Sequence, residues 1–244
     1  MGQMIENMKH IVSFSGGKDS TSMLLRMIEL DMQIDEIRYF DCGSWEFPQM
    51  IEHINKVEEY IKRPITRMKY KYDFGYLFSR KTREKGTRSG KCGYGFPTMV
   101  YRWCTGKKMN VLAKGIDRKN TTLYIGYAVD ELSRTRPLSA RKIPQKFPLI
   151  EWGWSEKECL EYCYSKGFNW NGLYKHFHRV SCWCCPFQGL KELRNLRKHF
   201  PVLWKRLLDM QEKSWNSFRM DGKTVLDLDK RFEMEDKQIK LFEE

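Results

Sequence analysis

Two stretches of this 244-residue chain carry side chains at spacings that chemistry can use. The first is Ser15-Gly16-Gly17-Lys18-Asp19-Ser20, with an apolar run, Ile11-Val12-Ser13-Phe14, before it and a periodic stretch from Thr21 to Leu30 after it. A strand, a Gly-Gly turn and a helix start build an anion site from backbone N–H groups and the positive helix end. Gly16 and Gly17 let the backbone curl closely around a phosphate. Ser15 and Ser20 offer hydroxyls, and Lys18 a mobile positive charge. The pattern G-x-x-x-x-G-K-S/T is not matched, so this is not a Walker A loop. The second stretch is Cys182-Trp183-Cys184-Cys185-Pro186, a C-x-x-C pair with a further cysteine inside it. Cys104 lies far upstream, in Arg102-Trp103-Cys104-Thr105. Thiolates at this spacing can share a metal or a cluster, and zinc knuckles and dithiol redox pairs use it too.

Composition narrows what these stretches serve. The formal charge of +13 favours a polyanionic partner, most simply nucleic acid, with a generally basic surface as the other reading. The eight cysteines are not spaced as a secreted disulfide framework, and in a reducing compartment such a set points to metal, cluster or thiol chemistry. No stretch is apolar enough to span a membrane, and the N-terminus lacks a signal-peptide pattern. A soluble cytoplasmic protein without membrane contact is expected.

The elements that must position these residues alternate. Strands are predicted at 9–14, 36–40, 65–70 and 121–127, and helices at 20–31, 46–61 and 106–116. This alternation argues for a parallel α/β sheet. Asp41 ends the second strand, where such sheets bind ligands; a helix cap is its other reading. Ser155 and Glu158 match a capping box, and Cys159 and Cys163, one turn apart, read as buried small hydrophobes. Residues 79–91 form a basic loop with Arg80, Lys81, Arg83, Lys85, Arg88 and Lys91, suited to phosphates or simply solvated. Tyr94, Phe96, Tyr101 and Trp103 follow, equally suited to base stacking or to a core. After residue 189 only helices are expected, near 190–199, 201–217 and 230–242. The expected division is a nucleotide-binding α/β domain over 1–153 and a cysteine-motif and helical region over 154–244.

Ser15–Ser20 resembles the SGGxDS pyrophosphate loop of the adenine-nucleotide alpha-hydrolase-like, or PP-loop, superfamily. Asp41-Cys42-Gly43-Ser44-Trp45-Glu46-Phe47-Pro48 resembles the D-T-G-x-x-F-P stretch of PAPS (phosphoadenylyl sulfate) reductase-like proteins, with Cys42 in the threonine position. Gly126, Glu131, Arg134 and Arg136 resemble the second nucleotide-side motif of that family, whose members include proteins of phages and mobile elements. The resemblance covers roughly residues 9–188. It implies a Rossmann-like parallel sheet with a C-terminal helical appendage, binding an adenine nucleotide through the loop and Gly126. Glu131 would orient a ligand hydroxyl, a metal or the loop, and Arg134 and Arg136 would bind phosphate or sulfate through forked donors. Asp41 or Glu131 would hold Mg²⁺.

Adenylyl-sulfate reductases of this superfamily hold a [4Fe-4S] cluster with a Cys-Cys pair followed by a distant C-x-x-C. Trp103 replaces the first cysteine of that pair here, which leaves Cys104, Cys182 and Cys185 as matching ligands. The fourth is open among Cys184, His178, Cys92 or none. A three-cysteine cluster with an open iron would resemble tRNA thiolation enzymes, whereas zinc in a closed site would be structural. Three functions follow. In the first, ATP adenylylates a nucleic-acid or nucleotide substrate and sulfur displaces AMP, with a sulfur-donor protein as a further partner. Lys18, Asp41, Glu131 and Arg134 would be its catalytic residues. The second is a PAPS or APS reductase, disfavoured because no cysteine follows Cys185 to act as nucleophile. The third is a nucleotide- or nucleic-acid-binding protein that keeps a structural zinc.

Overall fold

The computed structural model describes residues 8–84, 89–135, 143–180 and 182–243, with the backbone helix alone over 239–243. In chain order the elements are β1 (Lys9–Phe14), α1 (Lys18–Glu29), β2 (Glu36–Phe40), α2 (Pro48–Ile61), β3 (Thr66–Met68), α3 (Phe74–Ser79) and α4 (Trp103–Leu112). There follow β4 (Thr121–Ile125), β5 (Gln145–Lys146), α5 (Pro148–Glu151), α6 (Glu156–Ser165), α7 (Leu173–His176), α8 (Leu190–His199), α9 (Pro201–Glu212) and α10 (Val225–Glu243). The strands form one sheet in the order β3-β2-β1-β4-β5, every pairing parallel. The fold is therefore the Rossmann-like α/β class that the sequence predicts. β2 is buried from Ile37 to Phe40 without alternation, as a strand covered on both faces requires. The chain leaves β1 toward β2 and β3, then returns to β4 on the other side. That reversal opens a crevice at the carboxyl ends of β1 and β4.

Several elements differ from expectation at their ends, for local reasons, and β5, α3, α5 and α7 are elements that the sequence does not predict. α1 starts at Lys18, because Gly17 is extended (φ −75, ψ 165) and takes the cap position. β4 stops at Ile125, where the Tyr127 N–H turns back to the Ile125 carbonyl at 3.0 Å. α10 starts at Val225, earlier than the sequence implies, because the Thr224 hydroxyl and the Asp227 carboxylate cap it. Lys85 and Arg88 of the basic loop lie outside the described residues; Thr82 and Cys92 on its two flanks pair as an antiparallel bridge. No helix among the described residues is long and apolar enough to cross a membrane.

The chain forms two compact units, each assembled from separate segments. The first comprises Met1–Asp41, Pro48–Lys69 and Lys108–Leu173 and contains the whole sheet. Its core includes Ile11, Val12, Met23, Leu24 and Met27, with Cys159 and Cys163 of α6 buried beside them. The second comprises Cys42–Phe47, Tyr70–Lys107 and Tyr174–Glu244. It is built on aromatic packing: Trp45 meets Phe74, Phe78 and Trp103 edge-on at 5.3, 6.0 and 5.5 Å. Phe96 and Trp103 are thereby core residues, whereas Tyr94 and Tyr101 are half-buried under the Arg83 guanidinium.

Candidate functional site

In the first unit the loop from Ser15 to Ser20 joins the end of β1 to the start of α1. Gly16 takes φ +76, a backbone conformation natural only to glycine. The two hydroxyls brace the loop: the Ser15 and Ser20 Oγ atoms are 2.9 Å apart, and Ser20 Oγ also accepts from the Ser15 N–H at 3.1 Å. The Trp170 indole donates to the Gly16 carbonyl at 2.7 Å, and His53 stacks on that indole at 4.3 Å. Burial pushes the His53 ring down to about 3, so it stays neutral while its Nε2 meets the Thr21 hydroxyl at 3.0 Å. Gly126, just beyond β4, sits against the loop. A Cβ there would lie 2.9 Å from the Ser20 backbone. The loop is thus held from three sides while α1 presents the amides of its first turn, which have no carbonyl partner within the helix.

Charge around the loop is dense and mostly paired. Lys18, which the sequence suggests as a mobile cation, is instead anchored: it is 4% exposed, and its Nζ lies 2.6 Å from Glu156 and 3.5 Å from Asp19. The reason is Glu156, the first residue of α6, whose amide is in turn held by Asp130 at 2.8 Å. Burial raises the Asp19 carboxyl to about 6; Lys18 opposes that shift, and Glu156 and Glu131 add to it. One Asp19 oxygen is buried with no hydrogen-bond partner among the described residues. Glu131 is buried and paired with Arg134, whose guanidinium lies 4.4 Å above the Tyr127 ring. Asp41 is ion-paired with Lys69 at 3.0 Å. Arg136 lies outside the described residues. The structure therefore gathers Lys18, Asp19, Gly126 and Glu131 around the loop and adds Glu156, Trp170 and His53, which sequence reasoning missed. An acid at a helix start reads first as a match to the macrodipole, which hid Glu156.

In the second unit the cysteines converge. Trp183 ties two segments together: its N–H reaches the Trp45 carbonyl at 3.2 Å and its indole reaches the Ser44 carbonyl at 2.8 Å. That brings the Cys42 and Cys182 sulfurs to 3.9 Å, with a Glu46 carboxylate oxygen within 4.8 Å of both. Arg219 fixes the far side of the turn through the carbonyls of Pro186 and Gln188 at 2.9 and 2.8 Å. Burial raises the Cys104 thiol, with Cys182 adding to the effect, and pushes Cys185 up to about 12 with Cys182 and Cys104 contributing. Cys104, Cys182 and Cys185 are thus near enough to feel one another's charge. Cys184 is buried, and its thiol is raised most strongly by that burial. Cys92 directs its sulfur to the Arg80 carbonyl at 3.1 Å, and His178 is exposed. Cys42 and Glu46 both stand beside Cys182, and the sequence singles out neither as a ligand. Thiols held protonated by burial and mutual repulsion are a donor set that a metal cation relieves, since thiolates are the binding form.

Comparison with known proteins places these features. The profile of the phosphoadenosine phosphosulfate reductase domain matches residues 9–188. An uncharacterized protein of Methanocaldococcus jannaschii is 27% identical over 209 residues, which cover 80% of this chain and 40% of that one. A second uncharacterized protein of the same organism is 24% identical over 226 residues, 85% of this chain and 49% of that one. The chain thus spans about half or less of the length of these relatives. Among solved structures, the U34-tRNA thiolase NcsA from Methanococcus maripaludis with its [4Fe-4S] cluster is similar at TM-score 0.44 and 16% identity, over 86% of this chain and 74% of that one.

Proposed function

Starting from the membership of this chain in the phosphoadenosine phosphosulfate reductase domain family, we propose that it is a PP-loop enzyme that adenylylates an oxygen of a nucleic-acid substrate with ATP and replaces that oxygen by sulfur. The observation that carries this reading is Asp19: a half-buried carboxylate, one oxygen of which is buried with no hydrogen-bond partner among the described residues, beside Lys18, Glu131 and Glu156, at the start of the loop helix. The helix start supplies donors for a polyphosphate. Its magnesium counter-ion takes carboxylate oxygens, which Asp19 and Glu131 would provide; Asp41 is already paired with Lys69. Lys18 and the loop amides would stabilise charge on the departing pyrophosphate, with Arg134, and Arg136 after it, on the phosphates. The substrate oxygen attacks the α-phosphorus of ATP, the bond to the bridging oxygen breaks, and pyrophosphate leaves. Hydrosulfide from a sulfur-donor partner then adds at the substrate carbon, and AMP departs with the original oxygen, so the exchange is redox neutral.

Cys104, Cys182 and Cys185 would hold a [4Fe-4S] cluster, which when bound supplies iron able to carry sulfide. A second reading is favoured by one distance. Two thiolates on a single tetrahedral ion, with bonds of about 2.3 Å, stand about 3.8 Å apart, and Cys42 and Cys182 are separated by 3.9 Å. Zinc held by Cys42, Glu46 and Cys182 is that reading. The test is anaerobic purification with iron, acid-labile sulfide and zinc measured per chain, followed by pyrophosphate release from ATP with and without RNA. Iron with sulfide, and RNA-stimulated release that needs Lys18, support the enzyme. ATP binding without release overturns it and leaves a nucleotide-binding protein.

A further inference from the structure

We infer that a cavity of about 410 Å³ in the second unit seats one unstacked nucleotide of a single-stranded polynucleotide, and that a run of tyrosines leads the strand to it. The inference rests on the reading of nucleic acid as the acceptor and names where it binds. The volume lies within the ~300–1,000 Å³ of small-molecule sites. Tyr76 is the exposed aromatic of the lining, Trp45, Phe78 and Trp183 line it from buried positions, and the cations are Arg80, Arg206 and Lys213. Arg206 lies 4.9 Å over the Trp183 ring. Two carboxylates also line the cavity, and one of them, Asp73, is engaged at 2.7 and 3.2 Å in capping α3. The lining is therefore aromatic with a surplus of positive charge, as a base with its phosphate requires.

Its position is given by the chain itself. Trp45 lies between Cys42 and Glu46, and Trp183 between Cys182 and Cys184. The cavity is thus lined by residues of the same two short segments that carry Cys42 and Cys182. From the cavity outward the aromatic contacts continue: Tyr76 to Tyr72 at 5.6 Å, then Tyr72 to Tyr70 at 6.2 Å. Lys107 bridges Tyr70 and Tyr94, 4.4 and 5.2 Å above the two rings, and Arg83 covers Tyr94 and Tyr101 at 5.3 and 5.0 Å. Tyr72 and Tyr76 are 37% and 43% exposed. A single exposed tyrosine needs no explanation, but a continuous run alternating with lysine and arginine does. Exposed ring faces among cations accept stacked bases, which a duplex keeps inside its own stack.

The experiment measures binding of the full chain to a labelled short RNA, to the DNA of the same sequence and to the RNA duplex, by fluorescence anisotropy. The single strands should bind more tightly than the duplex. Tyr72→Ala with Tyr76→Ala should weaken single-strand binding by about ten-fold or more, while Tyr76→Trp, which keeps a ring, should retain it. A 2-aminopurine within the strand should change its fluorescence on binding to the wild type, as a base does when it leaves its stack. Equal affinity of the double alanine variant, equal affinity for the duplex, or no 2-aminopurine response would each overturn the assignment. A chain that releases no pyrophosphate yet needs Tyr72 and Tyr76 for the strand would overturn the proposed activity alone.

Discussion

The phosphate loop draws its groups from six adjacent residues, Ser15 to Ser20, and from α1, which they begin. The candidate ligand sulfurs of the second unit come instead from Cys42, Cys104, Cys182 and Cys185, on three segments distant in sequence, of which Trp183 joins the first to the last. The first arrangement is local: a glycine at φ +76 and a helix start fix it, and neighbours only buttress it. The second exists only once the unit has folded. The electrostatics differ accordingly. Around the loop, carboxylates and Lys18 are largely paired, with one Asp19 oxygen left over. Around the sulfurs, burial raises the affinity of the thiols for protons and neighbouring cysteines add to it. The loop has its counter-charges in place before any ligand arrives; around the cysteines burial outweighs the charge of Arg102 and keeps the thiols protonated, a condition that metal binding reverses.

The largest expected effect breaks the second region and spares the first. Cys182→Ala should reduce metal per chain by at least ten-fold, read by elemental analysis, with ATP affinity unchanged. Cys42→Ala sharpens the result. Zinc lost with Cys42 favours the single-ion site, whereas iron and sulfide kept without it favour the cluster on Cys104, Cys182 and Cys185. The reverse experiment is Lys18→Ala, which should lower pyrophosphate release by about 100-fold and leave metal content intact. Loss of metal in Lys18→Ala would show that the two regions do not behave independently.

How much of each region was legible follows from this contrast. The loop and the parallel sheet could be read because each rests on contiguous patterns, an apolar run, a glycine pair and a periodic helix, whereas the order β3-β2-β1-β4-β5 depends on pairings between distant segments and could not. The Ser155 capping box was equally local and is present. Cys104, Cys182 and Cys185 could be picked out from motif and resemblance, but Cys42 and Glu46 could not. They reach Cys182 because Trp183 binds the carbonyls of Ser44 and Trp45, and one residue's hydrogen bonds to another's backbone leave no mark on spacing. Lys18 was misjudged for the same reason. Its partner, Glu156, is 138 residues away, and a lysine in a glycine loop looks mobile until that partner is known.

Two middling effects test how rigidly the loop is held. Gly126→Ala forces a Cβ to 2.9 Å from the Ser20 backbone, where no flexible side chain can yield. It should destabilise the fold by about 1–3 kcal/mol and weaken ATP binding, both measurable by denaturant titration and calorimetry. A variant as stable as wild type would mean that the loop moves freely. The pH dependence of magnesium-ATP binding is the second. Asp19 holds its proton up to about pH 6, so binding that needs its carboxylate should weaken as pH falls below that value, by about ten-fold per unit at most. Asp19→Asn should flatten the profile. The sign for stability is opposite. Because the folded carboxyl titrates near 6 and the ordinary one at 3.8, its ionisation disfavours the folded state, so stability falls as pH rises between those values and is level above.

The smallest effect asks whether being a cysteine matters at all in the first unit. Cys159 and Cys163 are each 0% exposed on α6, and the Cys163 sulfur lies 3.5 Å from the Lys18 carbonyl. Burial pushes Cys159 up to about 12 and raises Cys163 further, as it does in the second unit. Yet among the described residues no third donor joins them to make a group of the kind found around Cys182. They fill space behind the loop helix. Cys159→Ala should therefore leave metal content and pyrophosphate release unchanged and cost about 1 kcal/mol of stability for the small void, a melting shift of about 2–4 °C in a chain of this size. Loss of metal in Cys159→Ala would mean that burial alone does not separate the structural thiols from the ligating ones, and that the contrast between the two regions is drawn in the wrong place.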